Sequence, residues 1–238
     1  VAGMEECTSR VTTLRNYRQQ NMKQYYVMVE YKELKQTAPR GVYLLPAVDR
    51  PRLFYGAIFL DMGFFKGGIF KFVVELPGNY PADGAQPVVT FTSKVFHPYI
   101  DPQTLVLDLS PRFKEWRASS DQLSSLLKYI KSIFYIKDPL SLPKNVANTT
   151  AAHLFETNQA EFRERAMRCV SHAKQRRFIN HDKHSTLKFS EHNSSHSHVL
   201  EEILKAANSP SKTEQVDETD SDLNDSFVSA SNTPIKSS

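Results

Sequence analysis

Two cysteines and eight histidines hold most of the nucleophilic and metal-binding capacity of this 238-residue chain. A thiol attacks as thiolate, so it needs a lowered pKa and access to solvent. Cys169 falls on a predicted helix beside Arg165, Arg168 and His172, cations that would lower its pKa if it were exposed. A small, semi-buried helical cysteine is the favoured reading, and Cys7, near the start, carries no chemistry. His97 stands in "FTSKVFHPYIDPQTLVLDLS", residues 91–110, where a β-type run enters His97-Pro98 and then a turn of Asp and Pro. The layout is that of an approach to an active site, yet the stretch holds nothing that could attack an electrophile. With no nucleophile near it in sequence, His97 reads as structural rather than as a general base. His181, His184, His192, His196 and His198 have spacings that zinc ligands use. No cysteine accompanies them and the segment is rich in Ser and Asn, so they read as solvated. No catalytic, cofactor-binding or metal-binding residue is assigned, and no cofactor is expected.

These residues need elements to position them. From Thr8 to Gln36 there is no Gly or Pro. Leu14, Tyr17, Met22, Tyr25, Tyr26 and Val29 recur there at spacings of three and four, which predicts an amphipathic helix ended by Pro39 and Gly41. Four β-type runs follow, from Gly41, Leu53, Ile69 and Pro87, separated by turn residues. Short loops between successive runs predict an antiparallel meander. Asp121–Ile136 predicts a helix with Asp121 as N-cap and Leu123, Leu126, Leu127, Ile130, Ile133 and Phe134 facing the sheet. A last helix is predicted from Thr150 to Lys174. The fold class is α+β: an N-terminal helix, a four-stranded antiparallel meander and C-terminal helices on one face of the sheet.

The expected organisation is residues 1–20 as an extension and the start of the first helix, 21–178 as the folded domain, and 179–238 as a polar, largely disordered tail. From Ser209 onward six acids stand against two lysines, with little to bury. Only "VLEEILKAA" interrupts this tail with an amphipathic pattern. Ser209-Pro210, Thr219 and Thr233-Pro234 fit weak kinase motifs. "KQRRF", Lys174–Phe178, reads as the charged end of the last helix, where cations complement the dipole.

Bulk properties exclude several classes of function. A net charge of +4 does not call for nucleic acid or an anionic membrane. Apolar residues make up 40% and charged residues 24%, as in ordinary globular proteins. The longest apolar runs, such as Ile69–Leu76, are too short to span a bilayer. Two distant cysteines point to a reducing setting, and no leader is visible at the start. The expected location is the cytoplasm, or the nucleus, with no membrane insertion.

Residues 56–98 carry a more specific signal. Phe65-Lys66-Gly67-Gly68-Ile69-Phe70, then Pro77, Tyr80-Pro81, Pro87, Phe91 and His97-Pro98 come in this order, followed by Trp116 and a long helix. The set, from about Asn21 to Val170, resembles the core of ubiquitin-conjugating (E2) enzymes. That resemblance implies a cysteine about ten residues after the histidine, to carry ubiquitin as a thioester, and an Asn after His-Pro whose amide stabilises the oxyanion. Here the Asn position is Tyr99, and the Cys position is Leu107, or Val106 if the turn is one residue shorter. Neither can perform its role, which implies an inactive E2 variant that acts by binding.

"YGAIF", "GIFKF", "VFHPYIDPQTLVLDLS", "KEWR" and "LLKYIKSIFY" resemble the fused-toes (AKT-interacting protein) branch, which includes insect crossbronx and crossbronx-like proteins. Ala118 replaces the Pro that ordinary members of the wider family place two residues after Trp116. The branch implies a scaffold role with Hook-type coiled-coil adaptors in vesicle traffic. The alternative is a non-catalytic partner of an active conjugating enzyme, or a binder of ubiquitin. Tyr25, Tyr26, Tyr31, Phe64 and Phe65 are too many aromatics to point inward together, so one or two are expected on a partner surface. Tyr99, Leu105 and Leu107 could fill the former cleft or receive a partner.

Overall fold

The computed structural model describes residues 2–136, 138–139, 142–143, 145–179, 182 and 184–208. The chain divides into two units, Val1–Glu191 and His192–Ser238. The first begins with α1 (Ala2–Thr37), followed by β1 (Val42–Pro46), β2 (Leu53–Phe59), β3 (Ile69–Glu75) and β4 (Val88–Phe91). Then come α2 (Leu123–Ser132), a 3₁₀ turn (Ile133–Tyr135), α3 (Thr149–Thr157) and α4 (Gln159–Gln175). The order α, four β, α, α is the expected α+β class.

The sheet runs β1-β2-β3-β4, antiparallel throughout, as the short loops demand. Register sets its two faces. Phe54 pairs with Val74, Ile58 with Phe70, and Phe72 with Phe91, so these large apolar side chains share the inner face. Leu123, Leu126, Leu127 and Ile130 of α2 are fully buried and form the core with that face. Gly41 turns the chain from α1 into β1 at φ +82°, where its carbonyl accepts from Phe59 N–H at 2.8 Å. A side chain at that φ would be strained, and its Cβ would lie 3.0 Å from Phe59 O.

Three helices differ in detail from the sequence expectation. Among the α1 residues whose side chains are described, Val27, Glu30 and Leu34 are buried, whereas Tyr17, Met22 and Tyr25 of the expected stripe are more than 60% exposed. Apolar residues fall on every side of this helix, so periodicity could not select its inner face. In α2 the N-cap is Gln122, not Asp121; Ser125 Oγ accepts from Gln122 N–H at 2.8 Å. Asp121 instead accepts from Arg117 N–H at 2.8 Å and closes the preceding loop. The last expected helix is two helices broken at Asn158, whose side chain accepts from Glu161 N–H at 3.1 Å and caps α4. Asn148 caps α3 in the same way, through Ala151 N–H.

After α4 the chain turns back onto the sheet. Asp182 and residues 184–189, in the stretch read as solvated tail, lie against the outer face, where Leu187 packs on the cluster of Ala47, Leu53 and Tyr55. In the second unit, α5 (Ser194–Asn208) extends the amphipathic piece expected there by five residues at its start. Val199, Leu200, Ile203 and Leu204 recur at helical spacing along it. Residues 209–238, with Ser209, Thr219 and Thr233, lie outside the described residues, as does His181.

Candidate functional site

The segment from Val95 to Ser110 wraps the end of β4, and His97 sits beneath it. The His97 side chain is fully buried, packed among Phe65, Tyr99 and Phe134. Its Nδ1 accepts from Tyr99 N–H at 3.0 Å, which leaves Nε2 to donate to Ile133 O at 2.9 Å. Burial pushes its pKa down to about 4, so the ring is neutral and both nitrogens are engaged. His97 therefore fastens the turn to the end of α2, a structural role.

Tyr99 is 6% exposed, its ring on that of His97, and its carbonyl accepts from Asp108 N–H at 2.8 Å. Beyond it, Asp101 accepts from Gln103 and Thr104 N–H at 2.8 and 2.7 Å, bonds that hold its carboxyl below the usual range. Leu105 adopts φ +60°, unusual for a residue with a Cβ, and its carbonyl accepts from Phe91 N–H at 2.9 Å. Val106 then bridges to Thr90 and Leu107 to Ile100. Leu107 is 2% exposed and belongs to the core, while Val106 is half-buried. Tyr129 closes the floor, donating from its hydroxyl to Asp108 O at 2.9 Å. Neither a thiol nor a side-chain amide stands at 99, 106 or 107.

Cys169 is half-buried on α4. Burial pushes its thiol up, and a hydrogen bond with the Phe96 backbone only partly offsets this. The fold thus brings Cys169 near the residue preceding His97, but as a protonated thiol, and His97 has no free nitrogen with which to activate it. Among the described residues no group of three or more His, Cys, Asp or Glu is placed to hold a metal. No helix among them is long and apolar enough to cross a membrane.

The aromatic set divides as its number required. Phe65 is core, and Phe64 packs between Phe155 and Phe162. Tyr31 is half-buried and donates to Leu44 O at 3.2 Å, occupying a carbonyl of the edge strand. Tyr25 is 64% exposed and Tyr26 39%. A cleft of about 540 Å³ lies between the end of α1 and β1, with Lys32, Lys35 and Arg40 in its lining. The Glu30–Tyr80 hydrogen bond, 2.7 Å, was not anticipated. Its available signal was the placing of Glu30 at helical spacing between Val27 and Leu34.

A family profile described as "Ubiquitin-conjugating enzyme" matches residues 26–170, more than half of the chain. The chain belongs to that family, and the helix, four-stranded meander and helices are its fold. Among relatives, it is 35% identical to a protein crossbronx homolog of Anopheles gambiae over 63% of this chain and 66% of that protein. It is 36% identical to protein crossbronx of Drosophila willistoni, over 60% of this chain and 58% of the relative. With a protein AKTIP homolog of Nematostella vectensis it shares 35% identity over 62% of this chain and 48% of the relative. The chain thus spans just under two thirds of the first of these proteins and about half of the last.

Proposed function

We propose that this chain is a non-catalytic member of the ubiquitin-conjugating fold and works as a binding scaffold, an adaptor subunit in Hook-type vesicle or endosome traffic. The observation that carries the first part is the pair Tyr99 and Leu107. By the resemblance, Tyr99 falls where the family's reaction needs an amide donor and Leu107, or Val106, where it needs a thiolate; Tyr99 and Leu107 are buried and Val106 is half-buried. A thioester requires a nucleophile that ubiquitin's C-terminus can reach, and a leucine in the core supplies none. Likeness to crossbronx and AKTIP homologs supports the second part, together with surface features suited to protein contact, Tyr25 and the cleft lined by Lys32, Lys35 and Arg40.

Affinity purification of the tagged chain from its own cells, with mass spectrometry of bound proteins, tests the reading. A Hook-type coiled-coil adaptor is the expected partner. Recovery of an active conjugating enzyme in its place overturns the trafficking role in favour of ubiquitin-chain synthesis. Incubation with activating enzyme, ATP and ubiquitin tests the catalytic half separately: no thiol-reducible adduct is expected.

A further inference from the structure

The outer face of the sheet is occupied by the chain itself. Tyr43, Leu45, Tyr55, Ala57 and Phe59 alternate onto this face along β1 and β2, and Lys71 and Val73 continue it on β3. Against it, Leu187 packs on the cluster of Ala47, Leu53 and Tyr55, as Val73 does. The Phe189 ring meets that of Phe59 edge-on, centroids 6.0 Å apart, with Lys71 Nζ 4.9 Å above it. Polar contacts fix the position of the segment. Tyr55 donates from its hydroxyl to the Asp182 carboxylate, which Arg50 also approaches at 3.4 Å. His184 Nδ1 lies 3.1 Å from Asp49, Thr186 donates to Pro46 O at 2.9 Å, and Lys71 donates to Ile179 O at 3.2 Å.

These contacts have the form of peptide recognition. The segment presents the Asp182 carboxylate to a phenol and a guanidinium from a turn in which Ser185 N–H donates to Asp182 O at 3.1 Å, then side chains two apart, Leu187 and Phe189, to apolar partners on the sheet. The fit is looser than a core. A pocket of about 80 Å³, partly open to solvent, remains between the segment and the sheet, lined in part by Tyr55, Lys71, Val73 and Leu187. Interiors are packed without such room, whereas a cover that lifts needs no such density. We propose that Asp182 and residues 184–189 form a self-bound strap, an intramolecular peptide ligand that keeps the outer sheet face closed to protein partners until it is displaced. The inference does not depend on which partner the chain serves.

Hydroxyl-radical footprinting of the full-length chain reads the strap directly, because Tyr55 is 5% exposed beneath it and Tyr43, 58% exposed, is an internal reference on the same face. In the double variant Leu187→Ser/Phe189→Ser, labelling of Tyr55 should rise about tenfold as the face opens, with Tyr43 and the core residue Trp116 unchanged. Asp182→Ala is carried in parallel, since it removes a half-exposed partner of Tyr55 without touching the core; a smaller rise of the same sign is expected. A tethered segment acts at an effective concentration on the order of 1 mM, so a strap closed about ten to one implies a dissociation constant near ~0.1 mM for the free peptide. A synthetic peptide of residues 178–191 at about 1 mM should therefore restore protection of Tyr55 in the double variant, and a scrambled peptide should not. Labelling of Tyr55 in the unaltered chain at the rate of Tyr43 overturns the proposal. So does an unchanged rate in both variants, or a failure of the peptide to restore protection.

Discussion

Tyr80 donates from its hydroxyl to Glu30 Oε2 at 2.7 Å, and the other oxygen of the same carboxylate accepts from Leu123 N–H at the first turn of α2. One buried acid thus joins α1, the loop after β3 and the start of α2. It occupies the helix N-terminus, where a negative charge is favoured and an N–H lacks an intrahelical partner.

Removal of that acid should be felt through the groups it leaves unpaired. Glu30→Ala strands a buried N–H and a buried hydroxyl, at an expected cost of about 2–3 kcal/mol. Glu30→Gln keeps an acceptor for Leu123 and can donate to Tyr80, so it should cost less than about 1 kcal/mol at neutral pH. The pH dependence has a definite sign. Burial raises the Glu30 pKa above the usual carboxylate range, so the folded state holds its proton more tightly than the unfolded chain. Its contribution is greatest in acid and falls as pH rises through the raised value. Urea unfolding between pH 4 and 8 should show the Gln variant gaining on the parent as pH rises.

His97 has the opposite sign. Its pKa falls from about 6.5 to about 4 on folding, because burial disfavours the charged ring. The unfolded chain binds the proton first, so stability is present above 6.5 and is lost as pH falls toward 4. The full shift corresponds to a loss of about 3 kcal/mol. His97→Gln should be less stable than the parent at pH 7 by about 2–4 kcal/mol, through lost packing and hydrogen bonds. That gap should narrow by pH 4, since only the parent carries the titrating ring. Chemical denaturation at the two pH values checks it, and a gap that stays constant would refute the burial argument.

Gly56 on β2 lies across from Phe72 on β3, and a Cβ added there would lie 2.3 Å from the Phe72 ring. Phe72 is 1% exposed and packs against Phe91, so it has little room to yield. Gly56→Ala should destabilise the domain by about 1–3 kcal/mol through overpacking. A pairing of Gly56→Ala with Phe72→Leu, which withdraws the ring, should recover part of that loss in thermal unfolding.

The legible parts of this fold are those where one pattern had one meaning. Phe54, Ile58, Phe70 and Phe72 alternate within short strands, and Leu123, Leu126, Leu127 and Ile130 make one helical stripe, so sheet and central helix follow from spacing alone. The turn after His97 was readable because Asp101 and Pro102 favour a turn there. The inner face of α1 was not readable, because Tyr17, Met22, Tyr25 and Val27 surround the helix and a charged residue, Glu30, lies on the buried side. The strap escaped notice for a related reason. Leu187 and Phe189 are two apart, the spacing of one strand face, but only two such residues in a polar run rise little above chance. Asn158 breaks the last helix without a Gly or Pro, acting through a cap that composition does not display.

Restoring a cysteine should not restore chemistry. Leu107 is 2% exposed and its backbone N–H is tied to Val89 O at 2.8 Å, so Leu107→Cys places a thiol in the core. Burial there would raise its pKa and deny ubiquitin's C-terminus an approach. Val106→Cys is half-exposed, yet position 99 supplies no side-chain amide, and Tyr99 is committed to packing on His97. Each single variant, incubated with activating enzyme, ATP and ubiquitin, should give no reducible adduct on a non-reducing gel. Val106→Cys combined with Tyr99→Asn supplies both missing groups and is the most permissive case. An adduct with Leu107→Cys alone would mean that the segment from Tyr99 to Leu109 opens in solution, and the pair of buried side chains would no longer support a purely binding role.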